Sequence, residues 1–281
     1  MGLEQTDWGR EASLLRPAKL TVALFAAAPP LDLARPWIPE HLLPLHGGRC
    51  FGSLTAPQRL RYNHAYARQL VSEFLWLERI LIVAPLERLL RTRKLEPDKV
   101  SVLRSFIADE THHIAAFSRL EELAAAADQP ASKSALRPPR AVRAMAAMAA
   151  RYPVYLSFWA PVIESFEQYS LKVGQSFHRD ESVDPLFREV FVTHARDEAR
   201  HCRLDSLLGT WLRTEAGSMW NAVNARLLPM FDSAYRSVEW GLDGPIRDLA
   251  RSHPETADRF PALLAEAKAL RRATPLPAGS E

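Results

Sequence analysis

The sequences DETHH, at Asp109–His113, and DEARH, at Asp197–His201, are two copies of one pattern, and each lies in a stretch typical of a helix. On a helix, Glu and His three positions apart lie on the same face, about one turn apart. Each copy can therefore offer a carboxylate and an imidazole to one metal ion, and two copies predict two metal ions. The four residues expected to bind them are Glu110, His113, Glu198 and His201.

A further histidine precedes the second copy. His194 lies four residues before Glu198 and seven before His201, so the three side chains fall on one stripe of a helix. A single Glu-x-x-His pair is weak evidence, because both residue types are common on solvated helix faces. Three potential ligands on one stripe favour a metal site over a chance arrangement of surface charges.

Two other long helical stretches contain candidate carboxylates. Glu73 or Glu78 lies upstream of the first copy, and Glu164 or Glu167 lies upstream of the second. Four helices that supply Glu, Glu-x-x-His, Glu and Glu-x-x-His form the ligand set of the di-iron and di-manganese carboxylate bundles. We therefore expect an all-α protein built on a four-helix bundle.

Positions along the helices indicate which of these carboxylates face the metals. If the first two helices turn back near residue 95, a rise of 1.5 Å per residue places Glu110 about 22 Å from the turn, Glu78 about 25 Å and Glu73 about 33 Å. This favours Glu78, whereas a longer loop would favour Glu73. A turn near residue 182 similarly gives a position between Glu164 and Glu167, and Glu167 is favoured because its neighbours four residues away are apolar.

Asp109 and Asp197 directly precede the two glutamates of the repeated pattern. Metal-bound imidazoles usually donate their second N–H group to a carboxylate, which fixes the orientation of the ring. We expect crossed pairs, Asp109 with His201 and Asp197 with His113. The alternative is that each aspartate is only a surface partner of a neighbouring arginine.

Prolines and helix caps divide the chain into three segments within a single domain. Residues 1–54 are rich in proline and are predicted to form an irregular wrap, residues 55–240 the helical bundle, and residues 241–281 a C-terminal helix and a disordered tail. The apolar run from Leu20 to Ala28 is too short to span a bilayer and is expected to be buried.

Individual helices can be placed from caps and apolar periodicity. Helices are expected from Pro57 to about Arg93 with Thr55 as cap, from Pro97 to about Ala127, and from Pro185 to about Arg213 with Asp184 as cap. A third long helix, kinked or delayed by Pro153 and Pro161, should end near His178. A loop is predicted at residues 128–140, short helices at 218–240 and 255–272, and disorder from Pro275.

Composition excludes several functional classes. The net charge of +3, from 36 basic and 33 acidic residues, is too small to indicate nucleic-acid binding. Only Cys50 and Cys202 are present, so a disulfide framework is not expected and a reducing cytoplasm fits. No stretch indicates association with a membrane.

The upstream Glu, DETHH, the third-helix Glu and HARDEARH together resemble the p-aminobenzoate N-oxygenase family of di-iron enzymes. Most ferritin-like oxygenases have one histidine per iron, whereas this family has a third, four residues before the last Glu, where His194 stands. The resemblance covers residues 57 to 213. It implies a ferritin-like fold, two iron ions that activate O2, and oxidation of an amine nitrogen to the hydroxylamine or nitro level.

The resemblance also implies partners and alternatives. The expected substrate is a small, often aromatic, amine, an external electron donor supplies electrons, and a homodimer is one option for assembly. Oxygen and nitrogen ligands suit iron or manganese better than structural zinc, which favours cysteine. The main alternative is a hydroxylase or desaturase that acts on C–H bonds of a free or carrier-bound substrate. Metal storage and a metal-free polar bundle are the other classes considered.

Overall fold

The structure, a computed structural model, describes residues 3–127, 138–237 and 241–273. Every regular element in these ranges is helical, so the prediction of an all-α protein is confirmed, and the arrangement is that of a ferritin-like fold. The predicted loop at 128–140 is described only from residue 138. The predicted disordered tail from Pro275 lies outside the described residues.

The helices follow one another with short connections. In chain order they are α1 (Leu3–Ser13), α2 (Arg49–Gly52), α3 (Ala56–Leu77), α4 (Ala84–Thr92), α5 (Pro97–Ala127), α6 (Arg140–Arg151), α7 (Trp159–Arg179), α8 (Pro185–Ser237), α9 (Asp243–Ser252) and α10 (Phe260–Ala273). Short 3-10 helical segments lie at Val22–Ala27, Glu40–Leu42 and Pro254–Arg259. A π-helical turn, Glu78–Val83, joins α3 to α4 without a break. The bundle consists of α3 with α4, α5, α7 and the first part of α8.

The two predicted caps are confirmed. The Thr55 hydroxyl accepts a hydrogen bond from Gln58 N, and the Gln58 side chain accepts one from Thr55 N at 2.9 Å, which together satisfy two amides at the start of α3. Asp184 Oδ1 accepts from the backbone amides of Leu186 and Phe187, with Pro185 as the first residue of α8. These caps fix where the first and last bundle helices begin.

The N-terminal segment is less irregular than expected. Residues 3–13 form helix α1, because the first proline of the segment is Pro17 and nothing before it interrupts a helix. The apolar run from Leu20 to Ala28 is not a buried element, since Leu20 is fully buried but Val22 is 51% exposed. Among the described side chains of this run, only Leu20 is fully buried.

The third long helix begins late, which was one of the two predicted outcomes. Helix α6 ends at Arg151, a turn follows, and α7 begins at Trp159, which places Pro161 in its first turn, where a missing amide costs no helical hydrogen bond. The fourth helix ends later than Arg213. It continues to Gly217, whose φ of 75° and ψ of 171° form a conformation that only glycine adopts readily, and Asn221 Nδ2 donates to Arg213 O across this break.

The C-terminal prediction was wrong in one respect. The helix predicted at 218–240 is the second part of α8, described to Ser237, and the helix predicted at 255–272 is observed as a 3-10 segment followed by α10. Helix α9, Asp243–Ser252, was not predicted. Its first turn contains Gly244 and Pro245, which are residues typical of turns, but Pro is tolerated there because first-turn amides have no helical partner.

A layer of aromatic rings lies beside the cluster of buried polar side chains described below. Phe74 of α3 lies 5.3 Å from Phe117 of α5, 4.9 Å from Phe166 of α7 and 5.5 Å from Phe191 of α8, measured between ring centroids. Each bundle helix thus contributes one ring. Because such rings fill the space between the helices completely, they fix the spacing of the four helices at this level.

Candidate metal centre

Glu78 stands at the first position of the π-helical turn and is fully buried. Neither of its carboxylate oxygens has a hydrogen-bond partner among the described residues, and Oε1 lies 3.2 Å from His194 Nε2. Glu73, the alternative, is only partly buried and interacts electrostatically with Tyr66. Of the two candidates on this helix, the structure brings Glu78 into the cluster of histidines and glutamates. π-helical turns recur at functional sites, and this one sets the direction of Glu78.

The two copies of the repeated pattern meet between α5 and α8. His201 Nδ1 lies 2.9 Å from Glu110 Oε1 and 3.1 Å from Glu198 Oε2, and His113 Nδ1 lies 3.3 Å from Glu198 Oε1. His194 Nε2 lies 2.5 Å from the same Glu198 oxygen. All five side chains are at most 1% exposed. Glu198 therefore touches every histidine of the cluster.

Glu167 of α7 completes the cluster. It is fully buried, its Oε2 lies 3.7 Å from His201 Nδ1, and neither oxygen has a hydrogen-bond partner among the described residues. Glu164 is only partly buried and lies towards Cys202 and Asp205. Between the two candidates on α7, the structure brings Glu167 to the histidines.

The crossed aspartate contacts expected from the sequence are present. His113 Nε2 donates to Asp197 Oδ2 at 3.3 Å, and His201 Nε2 donates to Asp109 Oδ2 at 3.4 Å. Asp109 also accepts from Arg200 at 2.7 Å, so it has both the predicted histidine and a neighbouring arginine as partners. These bonds leave the Nδ1 atoms of both rings directed at the glutamates, which is the orientation that metal ligation needs.

Two backbone amides hold Asp197, and no pattern in the sequence could have predicted them. Lys19 N and Leu20 N donate to Asp197 Oδ2 at 2.8 Å and 2.9 Å. Burial acts to raise the pKa of Asp197, but the hydrogen bonds from His113 and from the two amides outweigh it and lower the pKa. The N-terminal segment therefore helps to fix His113 through Asp197.

Asp205 is a buried acidic residue that sequence reasoning missed. It lies four residues after His201, on the stripe that already contains His194 and Glu198, so the spacing could have indicated it. Neither oxygen has a hydrogen-bond partner among the described residues, and burial raises the pKa of its carboxyl group. By contrast, His112 is exposed, in agreement with its expected role as a neighbour and not a ligand.

The protonation of the cluster reflects its burial and its mixed charges. Burial, followed by the charge of Glu110, raises the pKa of Glu78. For Glu198, burial acts to raise the pKa, but the positive charge of His201 and hydrogen bonds from His113 and His201 lower it to about 2. Burial acts to lower the pKa of His113, yet its hydrogen bonds to Asp197 and Glu198 raise it to about 10. Glu198 is thus an anion between imidazolium ions.

The donor atoms fit cations. Buried atoms without a hydrogen-bond partner among the described residues include both carboxylate oxygens of Glu78 and both of Glu167. Native proteins rarely leave so many buried polar atoms unpaired, so the arrangement suits positively charged ligands. Within the described ranges, two groups could each hold an ion with donor atoms within 4.8 Å of one another. They are Glu110, His113, Glu198 and His201, and Glu78, His113 and His194.

Other observations bear on the class of protein. Among the helices of the described ranges, none combines the length and apolar character needed to cross a membrane. No match was found among curated proteins. The profile of the family described as P-aminobenzoate N-oxygenase AurF matches residues 15–230, which is more than half of the chain and includes every residue of the cluster. This chain belongs to the p-aminobenzoate N-oxygenase AurF family.

Proposed function

We propose that the protein is a di-iron oxygenase that uses O2 to oxidise the amine nitrogen of a small, aromatic metabolite to the hydroxylamine or nitro level. The proposal is carried by the buried cluster of four glutamates and three histidines in a chain of the N-oxygenase family. The residues that would hold the two irons are Glu78, Glu110, His113, Glu167, His194, Glu198 and His201.

The charge of the cluster supports a pair of divalent ions. Four ionised glutamates balance two divalent cations, whereas four buried carboxylates without cations would repel one another and lose solvation. The nitrogen and oxygen donors suit iron or manganese, and zinc structural sites would instead favour cysteine. When bound, iron would supply the reduction of O2 that an organic side chain cannot perform.

The side chains around the cluster have separate roles. Asp109 and Asp197 hold His201 and His113 in fixed orientations. Phe74 and Phe117 pack against His194, with centroid distances of 5.4 Å and 4.9 Å, and Phe106 packs against His201 at 4.5 Å. These rings exclude water from one side of each imidazole, which protects a reactive oxidant from competing reactions.

Metal binding can be tested with two matched pairs of variants. We expect roughly two irons per chain after anaerobic loading with ferrous ion. Glu78→Gln should lower this stoichiometry, whereas Glu73→Gln should not, because only Glu78 lies in the cluster. Glu167→Gln and Glu164→Gln form the second pair, with the loss expected for Glu167→Gln. Elemental analysis measures each stoichiometry, and one zinc with no iron in the unaltered protein would contradict the assignment.

The reaction itself is tested with substrates. The reduced, iron-loaded protein is mixed with 18O2 and a panel of aryl and alkyl amines, and products are identified by mass spectrometry. Hydroxylamine, nitroso or nitro products that contain 18O support N-oxygenation. Oxidation only of C–H bonds would leave the metal site in place and show that the protein is a hydroxylase or desaturase.

A further inference from the structure

A surface cleft reaches one of the two aspartates that hold the histidines. The cleft has a volume of about 310 Å³ and lies between residues 15–18 of the N-terminal segment and the middle of α5. Asp109 lies in its wall, together with Ser105 and the exposed His112. Because Asp109 accepts from His201 Nε2, a single side chain separates the cleft from the imidazole of the cluster.

The surface around this cleft carries an excess of positive charge. Five exposed basic side chains belong to it, on the N-terminal segment, α5 and α8: Arg16, Lys19, Arg104, Arg196 and Arg203. We name these residues the basic face.

The positions of these residues place the basic face beside the cleft. Arg16 lines the cleft itself, and Arg104 lies four residues before the cleft residue Ala108, on the same side of α5. Arg196 and Arg203 lie four residues before and three after Arg200, whose guanidinium contacts Asp109 in the cleft wall. The backbone of Lys19 donates to Asp197.

Of the acidic groups that touch this face, one neutralises a member of it, and the other two are bound to groups outside it. Glu11 is paired with Arg203 at 3.3 Å, Asp109 with Arg200 at 2.7 Å, and Asp197 with His113. Asp109 and Asp197 are also almost completely buried. Within the described ranges, no acidic side chain forms an ion pair with the exposed Arg196, so the face remains available to an anionic partner.

We propose that the basic face is the docking site of the electron donor, a small acidic iron–sulfur protein of the ferredoxin class. This inference rests on the proposed function, because only an oxygenase needs such a donor. Opposite charges steer a partner to a surface and raise its association rate without requiring a large contact area. Electron-transfer encounters bury less than about 1,200 Å², which a patch around one cleft can supply.

The electron balance requires two encounters. Oxidation of an amine to a hydroxylamine inserts one oxygen atom of O2 into the N–H bond, and the other oxygen atom becomes water. Formation of that water takes two electrons and two protons from outside the substrate. A ferredoxin carries one electron in its cluster, so two reduced ferredoxins are oxidised for each amine converted. Short, salt-sensitive encounters allow one oxidised carrier to leave before the next binds.

The test measures binding directly and does not depend on turnover. The metal-free protein is titrated with a purified acidic [2Fe–2S] ferredoxin by isothermal titration calorimetry, at ionic strengths from about 0.01 M to about 0.1 M. The double variant Arg104→Glu with Arg196→Glu reverses two charges of the basic face. The control, Lys172→Glu with Arg226→Glu, makes the same charge change at exposed residues of α7 and of α8 beyond Gly217.

We expect the basic-face variant to bind ferredoxin at least about tenfold more weakly, the control variant to bind as the unaltered protein does, and added salt to weaken binding. Equal weakening in both variants would show that only the net charge matters and would overturn the proposal. An absence of binding at low salt would also overturn it.

A second measurement separates this proposal from the proposed function. The iron-loaded variants are reduced either by the same ferredoxin or by a small uncharged reductant, and the change in the iron absorption is followed. The basic-face variant should be slow only with ferredoxin. Amine oxidation with the small reductant but no ferredoxin binding would refute the docking site alone. Ferredoxin binding and reduction without amine oxidation would refute the N-oxygenase assignment alone.

Discussion

The two copies of the repeated pattern have the same sequence spacing but different surroundings. Asp197 of the second copy is fully buried and accepts two backbone amides as well as His113. Asp109 of the first copy accepts from His201 and Arg200 and borders a surface cleft. Backbone amides belong to the folded chain and cannot rotate away, whereas an arginine side chain can. The aspartate of the second copy is therefore held by the backbone, whereas that of the first is held by side chains at the edge of a surface cleft.

The glutamates of the two copies also differ in their surroundings. Replacing the glutamate of the second copy should have the largest effect on stability. Glu198 is an anion in contact with all three histidines, whereas burial raises the pKa of Glu110 and favours its neutral form. In the metal-free protein at neutral pH, Glu198→Gln should lower the free energy of unfolding by about 3–5 kcal/mol, because it leaves imidazolium ions without their main partner.

Glu110→Gln should cost clearly less. Urea unfolding of both metal-free variants measures the difference, and equal losses for the two would show that the copies are energetically equivalent.

The second prediction concerns pH. The pKa of His113 is raised from 6.5 to about 10 in the folded protein, so its contribution to stability is fully present below pH 6.5 and is lost as the pH rises to about 10. The raised pKa values of Glu78 and Glu110 act in the same direction, since neutral carboxyls must ionise as the pH rises.

His194, whose pKa is lowered, opposes this trend only below pH 6.5. We therefore expect the metal-free protein to lose stability between pH 6.5 and about 10, and the iron-loaded protein, whose histidines have lost these protons, to show a weaker dependence. Thermal unfolding across this range provides the measurement. A metal-free protein that gains stability towards pH 10 would contradict the protonated state of His113.

The third prediction tests the two aspartates directly. Asp197→Asn should lower the free energy of unfolding by about 1–3 kcal/mol, because a buried bond to an imidazolium is weakened, and should lower iron affinity by about 10–100-fold. Asp109→Asn should lower the free energy of unfolding by less, because water in the cleft can replace part of the hydrogen bonding that the carboxylate provides. Chelator competition gives the affinities. A larger loss of stability for Asp109→Asn would reverse the comparison between the copies.

The smallest effect is expected from replacing Arg200, which belongs to the second copy of the pattern and has no counterpart in the first. Arg200 is 19% exposed at its side chain, and its ion pair with Asp109 lies near the surface. Arg200→Met should cost less than about 1 kcal/mol and should leave the His113–Asp197 pair unchanged. Ring nitrogen chemical shifts of the two histidines report on both pairs in one spectrum, and a shift at His113 would show that the copies are coupled.

Most of the bundle could be predicted from the sequence because the evidence for it was local. The spacing within a helix places His194, Glu198 and His201 on one stripe. Counting residues from a turn favoured Glu78, and apolar neighbours favoured Glu167; these are the glutamates that the structure brings to the histidines. Their role as metal ligands remains a prediction. Helix α1 was missed because a proline-rich composition was applied to residues that precede the first proline.

The contacts that could not be predicted are those between distant parts of the chain. Leu20 and Asp197 are separated by 177 residues, and a backbone amide has no signature in the sequence. The cleft at Asp109 likewise requires knowledge of how residues 15–18 cross α5. Such contacts depend on packing and not on local periodicity. The bonds from the N-terminal segment to Asp197 can therefore be seen only in the folded chain.

The bonds from Lys19 and Leu20 to Asp197 also determine when, during synthesis, this segment can reach its final position. A ribosome makes residues 19 and 20 first, but their acceptor emerges only after 177 further residues have been added. During that time the N-terminal segment has no anchor at this position, and His113 has no aspartate to orient it. Residues 19 and 20 can therefore bind Asp197 only after this part of the fourth bundle helix has left the exit tunnel.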